Sequence, residues 1–394
     1  MPRMLPERAR VVIVGGGVMG TSTAFHLAEA GVPDVLLLER GALGAGSTAR
    51  AAGGVRAQFS DALNVQLGAR SLEAFARFAE RPGGEIDLHR VGYLFLLTRA
   101  EDVAAYETSV ALQNDLGVPS RMLDAAEAAR LAPVVHTGDV LAASFHAGDG
   151  HCTPEAVVAG YAAGARRLGA TVLTGIEVTG IETSDGAGPA RIVGVRTSAG
   201  TVATEAVICC AGAWSAEVGA MVGVRLPVTP LRRQILVTES LPPAVARLAP
   251  ATMPMTIDVA STFYLHREGP GMLLGMSWQG EEPGFRTALS DAWLPDLTAA
   301  IEARAPKLLD VGVAHGWAGL YEVTPDHNAL IGRSPAVATF LYATGFSGHG
   351  FLQGPAVGEL LRDLYLDREP FVDVRPLAAE RFAEGATRPE RNVV

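Results

Sequence analysis

Cysteine is scarce in this sequence: Cys152, Cys209 and Cys210 are the only three among 394 residues. An odd count without metal-type spacing argues against a disulfide scaffold, a zinc site and a thiol redox pair, and it suits a reducing compartment. Positive charge is also short, with 32 Lys and Arg against 42 Asp and Glu for a net charge of −10. A phosphate backbone is met by clustered cations, so no nucleic-acid partner is expected. An anionic substrate remains open, because one or two buried arginines capture a carboxylate locally. Long hydrophobic runs are missing too. The longest apolar stretches are strand-length and broken by glycine, and residues 1–10 lack the apolar core of a signal peptide, so neither a membrane span nor secretion is expected. The default location is cytoplasmic, and no metal is expected.

What is present is an ordinary globular composition, 48% hydrophobic and 19% charged, on a chain long enough for two domains. Val11–Val14 is a continuous β-branched run, as a strand buried on both faces requires. A Gly-rich turn follows, then a helix predicted over residues 21–30 and stopped by Gly31, then a second buried strand over residues 34–39. Strand, turn, helix and strand within about thirty residues make a βαβ unit. Gly15, Gly17 and Gly20 stand in G-x-G-x-x-G spacing at its first turn. Gly15 permits the turn, Gly17 lets backbone N–H groups approach a pyrophosphate, and Gly20 lets helix and strand pack closely. Val18 and Met19 lie in the same turn, and Glu39, followed by Arg40, ends the second strand where a carboxylate accepts hydrogen bonds from an adenosine ribose. The fingerprint alone does not separate NAD from FAD.

Downstream, Ser60 predicts the N-cap of a long helix with Leu63, Leu67, Leu72, Phe75 and Phe78 on its apolar face. Tyr93–Leu97 reads as a strand, followed by helical segments to Ala132. Residues 154–168 predict a helix, with strands at 171–173 and 206–210. Alternating strands dominate residues 226–278, a helix is expected over 291–304, and a Gly-rich turn at 345–350 leads to a helix over 355–365. Dinucleotide-type segments thus recur at the start, middle and end. The expected fold class is α/β (α+β overall), with a Rossmann-like cofactor domain from residues 1–90, 150–225 and 316–375. A mixed or antiparallel-sheet substrate domain takes 91–149 and 226–315, and residues 376–394 form a loosely attached C-terminal tail.

Five blocks carry a family resemblance: VVIVGGGVMG at 11–20, GAGSTARAAGGVR at 44–56, CAGAWS at 210–215, GLYEVTPDHNALIG at 319–332 and GFSGHGFLQGPAVGE at 345–359. Through them the chain resembles the DAO-type superfamily of FAD-dependent oxidoreductases, in particular the sarcosine oxidase and dimethylglycine dehydrogenase branch. The resemblance implies FAD as cofactor. It places Ser47 and Thr48 in a loop running past the pyrophosphate towards the flavin, with Arg50, Ala52, Gly53 and Gly54 along the same path. It implies that Val178 bonds the adenine through its backbone and that Ala211 and Gly212 line the cofactor near Trp214. Gly345, Ser347, Gly348, His349, Gly350 and Phe351 would cup the flavin ring, and a Gly-rich turn opening a helix is also an anion site on physical grounds.

The implied reaction is oxidation of a secondary, N-methyl, cyclic or D-amino acid, with hydride transfer from the carbon beside nitrogen to flavin N5 and an imine as product. A 2-hydroxy acid donor is the alternative, and would need a base such as His349. A further one is a flavin-bearing subunit or an assembly protein of a hetero-oligomer. Partners are then a small amino acid and either oxygen or another electron acceptor, with homo- or hetero-oligomers open. Arg56 stands where sarcosine oxidases place a carboxylate-binding arginine, and its two parallel donors suit that ligand. Tyr264 resembles an aromatic residue facing the substrate, Tyr321 a pocket wall, and His349 a group beside the ring that tunes the flavin or accepts a proton. Arg232 and Arg233 read as scaffold. Three departures qualify the likeness. The covalent-attachment positions correspond to Gly319 and Arg50, so FAD is expected to be non-covalent. Leu352 stands in place of a substrate-holding lysine, and Leu273 in place of the lysine associated with oxygen reduction, which favours a dehydrogenase or a slow oxidase.

Overall fold

The computed structural model describes residues 4–184 and 190–392. The ends of the expected cofactor domain and tail at residues 1–3 and 393–394 lie outside the described residues.

The βαβ unit forms as its sequence requires: strand Val11–Val14, helix Val18–Glu29 and strand Val35–Glu39. The two strands pair in parallel at the centre of a six-stranded sheet. Val207–Cys209 and Phe340–Thr344 extend that sheet in parallel on one side and Thr171–Thr174 on the other, with Leu330–Arg333 antiparallel at the edge. Both faces are covered, which explains the unbroken apolar runs. Val11, Ile13, Val35 and Leu37 face a core shared with the helices, whereas Val12, Val14, Leu36 and Leu38 face a second core. That second core packs on an antiparallel three-stranded sheet, Val178–Ser184, Arg191–Thr197 and Gly200–Ala203.

An eight-stranded mixed sheet forms the other half of the molecule. Its order is Val313–Val323, Thr229–Thr238, Gly271–Met276, Phe263–Glu268, Met255–Asp258, Tyr93–Leu97, Ala142–His146 and Arg121–Leu123. Alternation along its strands separates two surfaces. Leu94, Leu96, Leu265 and Leu274 pack with the helix Leu294–Arg304, while Tyr93, Phe95, Ile235, Ile257, Tyr264 and Leu273 cluster on the opposite face. Strand Val313–Val323 pairs with Thr229–Thr238 along its whole length, so this sheet runs past residue 316, where the sequence pattern placed the return to the cofactor domain. Among the described residues no helix is long and apolar enough to cross a membrane.

Three local expectations change. Asp61, not Ser60, caps the helix Ala62–Ala76, accepting from the amides of Leu63 at 2.9 Å and Asn64 at 3.4 Å. Ser60 is occupied elsewhere, its hydroxyl donating to Glu390 at 2.6 Å. The last long helix is Gly350–Tyr365 and contains Pro355. Proline removes only its own N–H, and the bond lost is to the Phe351 carbonyl in the first turns, where the buried apolar face holds the helix together. Finally, the C-terminal segment is docked rather than loose. Arg381 makes a bidentate ion pair with Asp326 at 2.9 Å, and Glu390 accepts from Ser60, Asp61 and Asn64.

Candidate active site

Where the carboxyl ends of the parallel strands face the eight-stranded sheet lies a cavity of about 400 Å³. Its first end is built by the βαβ unit. Helix Val18–Glu29 begins at Gly17 with no side-chain cap and no acid in its first turn, so its positive end is presented to the cavity. Thr48 Oγ1 accepts from the Val18 amide at 3.2 Å, while the neighbouring Ser47 Oγ is buried without a partner. An unsatisfied buried hydroxyl beside a helix N-terminus is the donor set a pyrophosphate completes. Glu39 holds the turn, its carboxylate accepting from the amides of Gly16 and Gly41, each at 2.7 Å. The arrangement fits a bound dinucleotide.

Most residues singled out from the sequence line this cavity: Gly15, Gly17, Val18, Met19, Glu39, Arg40, Ser47, Thr48, Arg50, Ala52, Gly53, Gly54, Val178, Ala211, Gly212 and Trp214. Gly348, His349, Gly350, Phe351, Arg56, Tyr264, Tyr321 and Leu352 join them. Gly20, Gly345 and Ser347 stand behind the wall. A Cβ on Gly20 would lie 1.9 Å from the Gly15 carbonyl oxygen, so this glycine permits close packing of helix on turn. Ser347 Oγ instead reaches the Thr324 amide at 3.2 Å and braces the Gly-rich turn. Arg40 lies over the Trp214 ring at 4.0 Å, and Arg50 donates to the Ala318 carbonyl at 2.7 Å, tying the first loop to the eight-stranded sheet.

The opposite end differs from expectation in how its cations are held. Arg56 is buried between Phe59 and Phe95 and bonds the Gln58 carbonyl. It also donates to the Asn392 carbonyl at 2.7 Å and to His349 Nε2 at 3.2 Å. An arginine has no acceptor, so His349 Nε2 accepts and the imidazole is neutral with its proton on Nδ1. Burial, reinforced by the Arg56 charge, holds the His349 pKa well below the usual histidine value. Arg233, read from sequence as scaffold, lines the cavity. Adjacent arginines on a strand face opposite ways: Arg232 pairs with Glu281 at 2.9 Å, and Arg233 points with Ile235 to the cavity. Its sequence signal was that alternation, readable only once Ile235 is known to face inward.

Tyr93, Met255 and Glu322 also line the cavity without having been singled out. Burial raises the phenol pKa of Tyr93, Tyr264 and Tyr321. Glu322 sits at the Gly-rich turn, accepting from the Thr344 hydroxyl at 2.9 Å. Burial pushes its carboxyl up to about 7, against the hydrogen bonds from Thr344, Gly345 and Phe346. Leu273 is buried in the apolar cluster of the cavity-side face.

Residues 10–364 match the family model described as FAD dependent oxidoreductase, DAO. The mitochondrial dimethylglycine dehydrogenase of Mus musculus is 30% identical over 97% of this chain, and the mitochondrial sarcosine dehydrogenase of Homo sapiens 30% over 98%. The chain spans 45% of the former and 42% of the latter, under half of each relative's length. Among solved structures, L-proline dehydrogenase from P. horikoshii superposes with a TM-score of 0.90 at 31% identity, covering 98% of this chain and 100% of that one. With a matching family model across nine-tenths of its length and a cavity fitted to a dinucleotide, this chain belongs to the DAO family of FAD-dependent oxidoreductases, and FAD is its cofactor.

Proposed function

We propose that the protein oxidises an amino acid, with a secondary, N-methylated or ring nitrogen as the favoured donor and a D-amino acid as the further member of the class. The observation carrying this reading is the scarcity of proton acceptors at the tyrosine-lined end of the cavity. His349 has its Nε2 lone pair committed to Arg56, and buried phenols at Tyr93, Tyr264 and Tyr321 stay protonated. A hydroxy acid needs a base for its hydroxyl proton, whereas an amine needs only to arrive unprotonated. The dimethylglycine, sarcosine and proline dehydrogenases named above act on donors with substituted nitrogens, which supports the same reading.

Bound FAD supplies the acceptor for the hydride equivalent leaving the carbon beside nitrogen. Gly15, Gly17 and the first turn of helix Val18–Glu29 would hold its pyrophosphate, and the turn leading into Gly350–Tyr365 would offer backbone amides to its flavin end. Attachment is non-covalent: at Gly319 an added Cβ would meet the Arg50 Cβ at 2.7 Å, leaving little room for a linking side chain. The remaining tasks belong to the chain. Met255, Ile257, Tyr264 and Leu352 exclude water and orient the donor, and the apolar setting favours the free amine over the ammonium. The imine formed hydrolyses in water. The sequence has a single lysine, the exposed Lys307, so the positions of Leu352 and Leu273 have no lysine within the chain to replace what they lack. We therefore favour an electron acceptor other than oxygen.

Anaerobic addition of N-methyl, cyclic and D-amino acids to the flavoprotein tests the reading. Bleaching of the flavin by one of these groups supports it. Bleaching by 2-hydroxy acids alone replaces it, and no response to either points to a subunit lacking its partner. Two further results are expected. The apparent second-order rate of flavin reduction should rise about tenfold per pH unit and level at the substrate's own amine pKa; a plateau near 7 would instead assign a base to Glu322. Gly20→Ala forces a Cβ onto the Gly15 carbonyl, so FAD affinity should fall roughly 5–150-fold, a cost of about 1–3 kcal/mol, as read by fluorescence titration of the apoprotein.

A further inference from the structure

We propose that Arg233, rather than Arg56, anchors the carboxylate of the substrate; the assignment rests on the amino-acid reading above. The two guanidiniums share one cavity but differ in what they have left to give. Arg56 has acceptors on both terminal nitrogens: Gln58 O on one, Asn392 O and His349 Nε2 on the other. Its faces are covered by Phe59 and Phe95, at 4.0 and 5.4 Å to the ring centroids. Taking a carboxylate there means breaking bonds already made.

Arg233 carries the opposite signature. Its one hydrogen bond among the described residues runs from Nη1 to the Arg232 carbonyl at 3.2 Å, and its Nε is buried without a partner. Among the described residues it forms no ion pair, because Glu281, the acid nearest in charge, is held by Arg232 at 2.9 Å and Arg286 at 3.4 Å. The cation lies 5.3 Å from the centroid of the Tyr321 ring. Burial is the largest influence on it and pulls its pKa below the ordinary arginine value, the direction of a cation whose desolvation is not offset. A buried guanidinium without an acid is costly unless a ligand supplies the counter-charge. A carboxylate does so with two oxygens matched to the planar fork.

The placement also separates the ends of an amino acid. Arg233 sits on strand Thr229–Thr238 opposite Gly319, and Ile235 of the same face stands opposite Gly275, which itself pairs with Tyr264. A carboxylate on Arg233 thus leaves the rest of the donor against Tyr264 and Ile235, an apolar surface suited to an alkylated nitrogen and its carbon.

The test uses the flavoprotein and its Arg233→Gln, Arg233→Lys and Arg56→Gln variants. Two quantities are read: Kd and limiting rate for anaerobic flavin reduction by proline and sarcosine, and Kd for the unreactive carboxylate benzoate from the flavin difference spectrum. Arg233→Gln should raise both Kd values roughly 10–100-fold, the range of a charge-assisted hydrogen bond. Its limiting rate should change less, and reduction by pyrrolidine, which lacks the carboxylate, should be unaffected in Kd. Arg233→Lys should fall between, and retained flavin content with an unchanged melting temperature separates lost contact from lost fold. Unaltered Kd values in Arg233→Gln and Arg233→Lys, or a larger loss in Arg56→Gln, would overturn the assignment. Should no amino acid of the panel above bleach the wild-type flavin, the amino-acid reading fails by itself, while the benzoate titration still decides whether Arg233 is the carboxylate site.

Discussion

Replacing Arg381 by alanine is expected to destabilise the protein by about 3–5 kcal/mol, the range for removing one partner of a buried ion pair. Arg381 and Asp326 are both buried, and the guanidinium meets the carboxylate through Nε and Nη2, each at 2.9 Å. The remaining donors are used on the Leu377, Ala378 and Asn328 carbonyls. Burial alone would raise the Asp326 pKa, but the hydrogen bonds and charge of Arg381 overcome it and hold the carboxyl below the usual aspartate value. A depressed carboxylate contributes stability that is present above its unfolded pKa and lost as pH falls through the folded one. The Arg381→Ala deficit should therefore shrink in acid. Denaturant unfolding at pH 7 and pH 3.5 measures both effects, and a loss under about 1 kcal/mol at pH 7 would show the pair to be dispensable. Replacing both residues with leucine should recover much of the loss, because no unpaired charge is then left behind.

The same substitution reaches the cavity. Asp326 also accepts from the Arg388 amide at 3.2 Å, and Glu390 then fastens the segment to Ser60 and Asn64. Two residues on, the Asn392 carbonyl holds Arg56, which in turn fixes the tautomer of His349. Loss of Arg381 should thus loosen the last turn of the chain from Arg56, and with it the hold on the His349 tautomer.

What could be read in the sequence followed the range of the interactions involved. The βαβ unit is specified by neighbours: β-branched runs, a Gly-rich turn and a helix stop within one segment, so Val11–Val14 and the two flanking elements were legible. Tyr93–Leu97 was legible for the same reason, as a continuous apolar strand. The sheet of Val178–Ser184, Arg191–Thr197 and Gly200–Ala203 was not, because half its side chains face solvent and its pattern is weak. That Arg233 faces the cavity was not legible, because its direction depends on the register with strand Val313–Val323, far along the chain. The docked C-terminal segment was illegible for a related reason. Glu390 finds Ser60 330 residues away and Arg56 finds Asn392 336 residues away, and no local pattern announces such partners. The Gly-rich block at 345–350 was read as a unit, yet only part of it faces the cavity, since Ser347 turns back to Thr324.

Glu322 should make stability fall with rising pH across a window where an ordinary glutamate is silent. Its carboxyl lies between strand Val313–Val323 and the Gly-rich turn, bonded by Thr344 and by the amides of Gly345 and Phe346, yet burial outweighs these bonds and pushes its pKa from 4.5 to about 7. In that interval the folded chain keeps a proton that the unfolded chain has released. The stabilisation is complete below pH 4.5 and is lost as pH rises through about 7. At 1.36 kcal/mol per unit the total is about 3 kcal/mol. Glu322→Gln cannot ionise, so its stability relative to the wild type should improve by that amount between pH 4.5 and pH 8 and then stay level. The difference between the two proteins is the useful quantity, because any pH-independent cost of placing an amide against Thr344 and the turn cancels from its slope. Parallel pH curves for the two proteins would mean that Glu322 is solvated well enough to ionise normally. A rising difference would show that the turn at the head of helix Gly350–Tyr365 carries a neutral carboxyl at pH 6, which leaves the helix's N-terminal amides uncontested for the flavin.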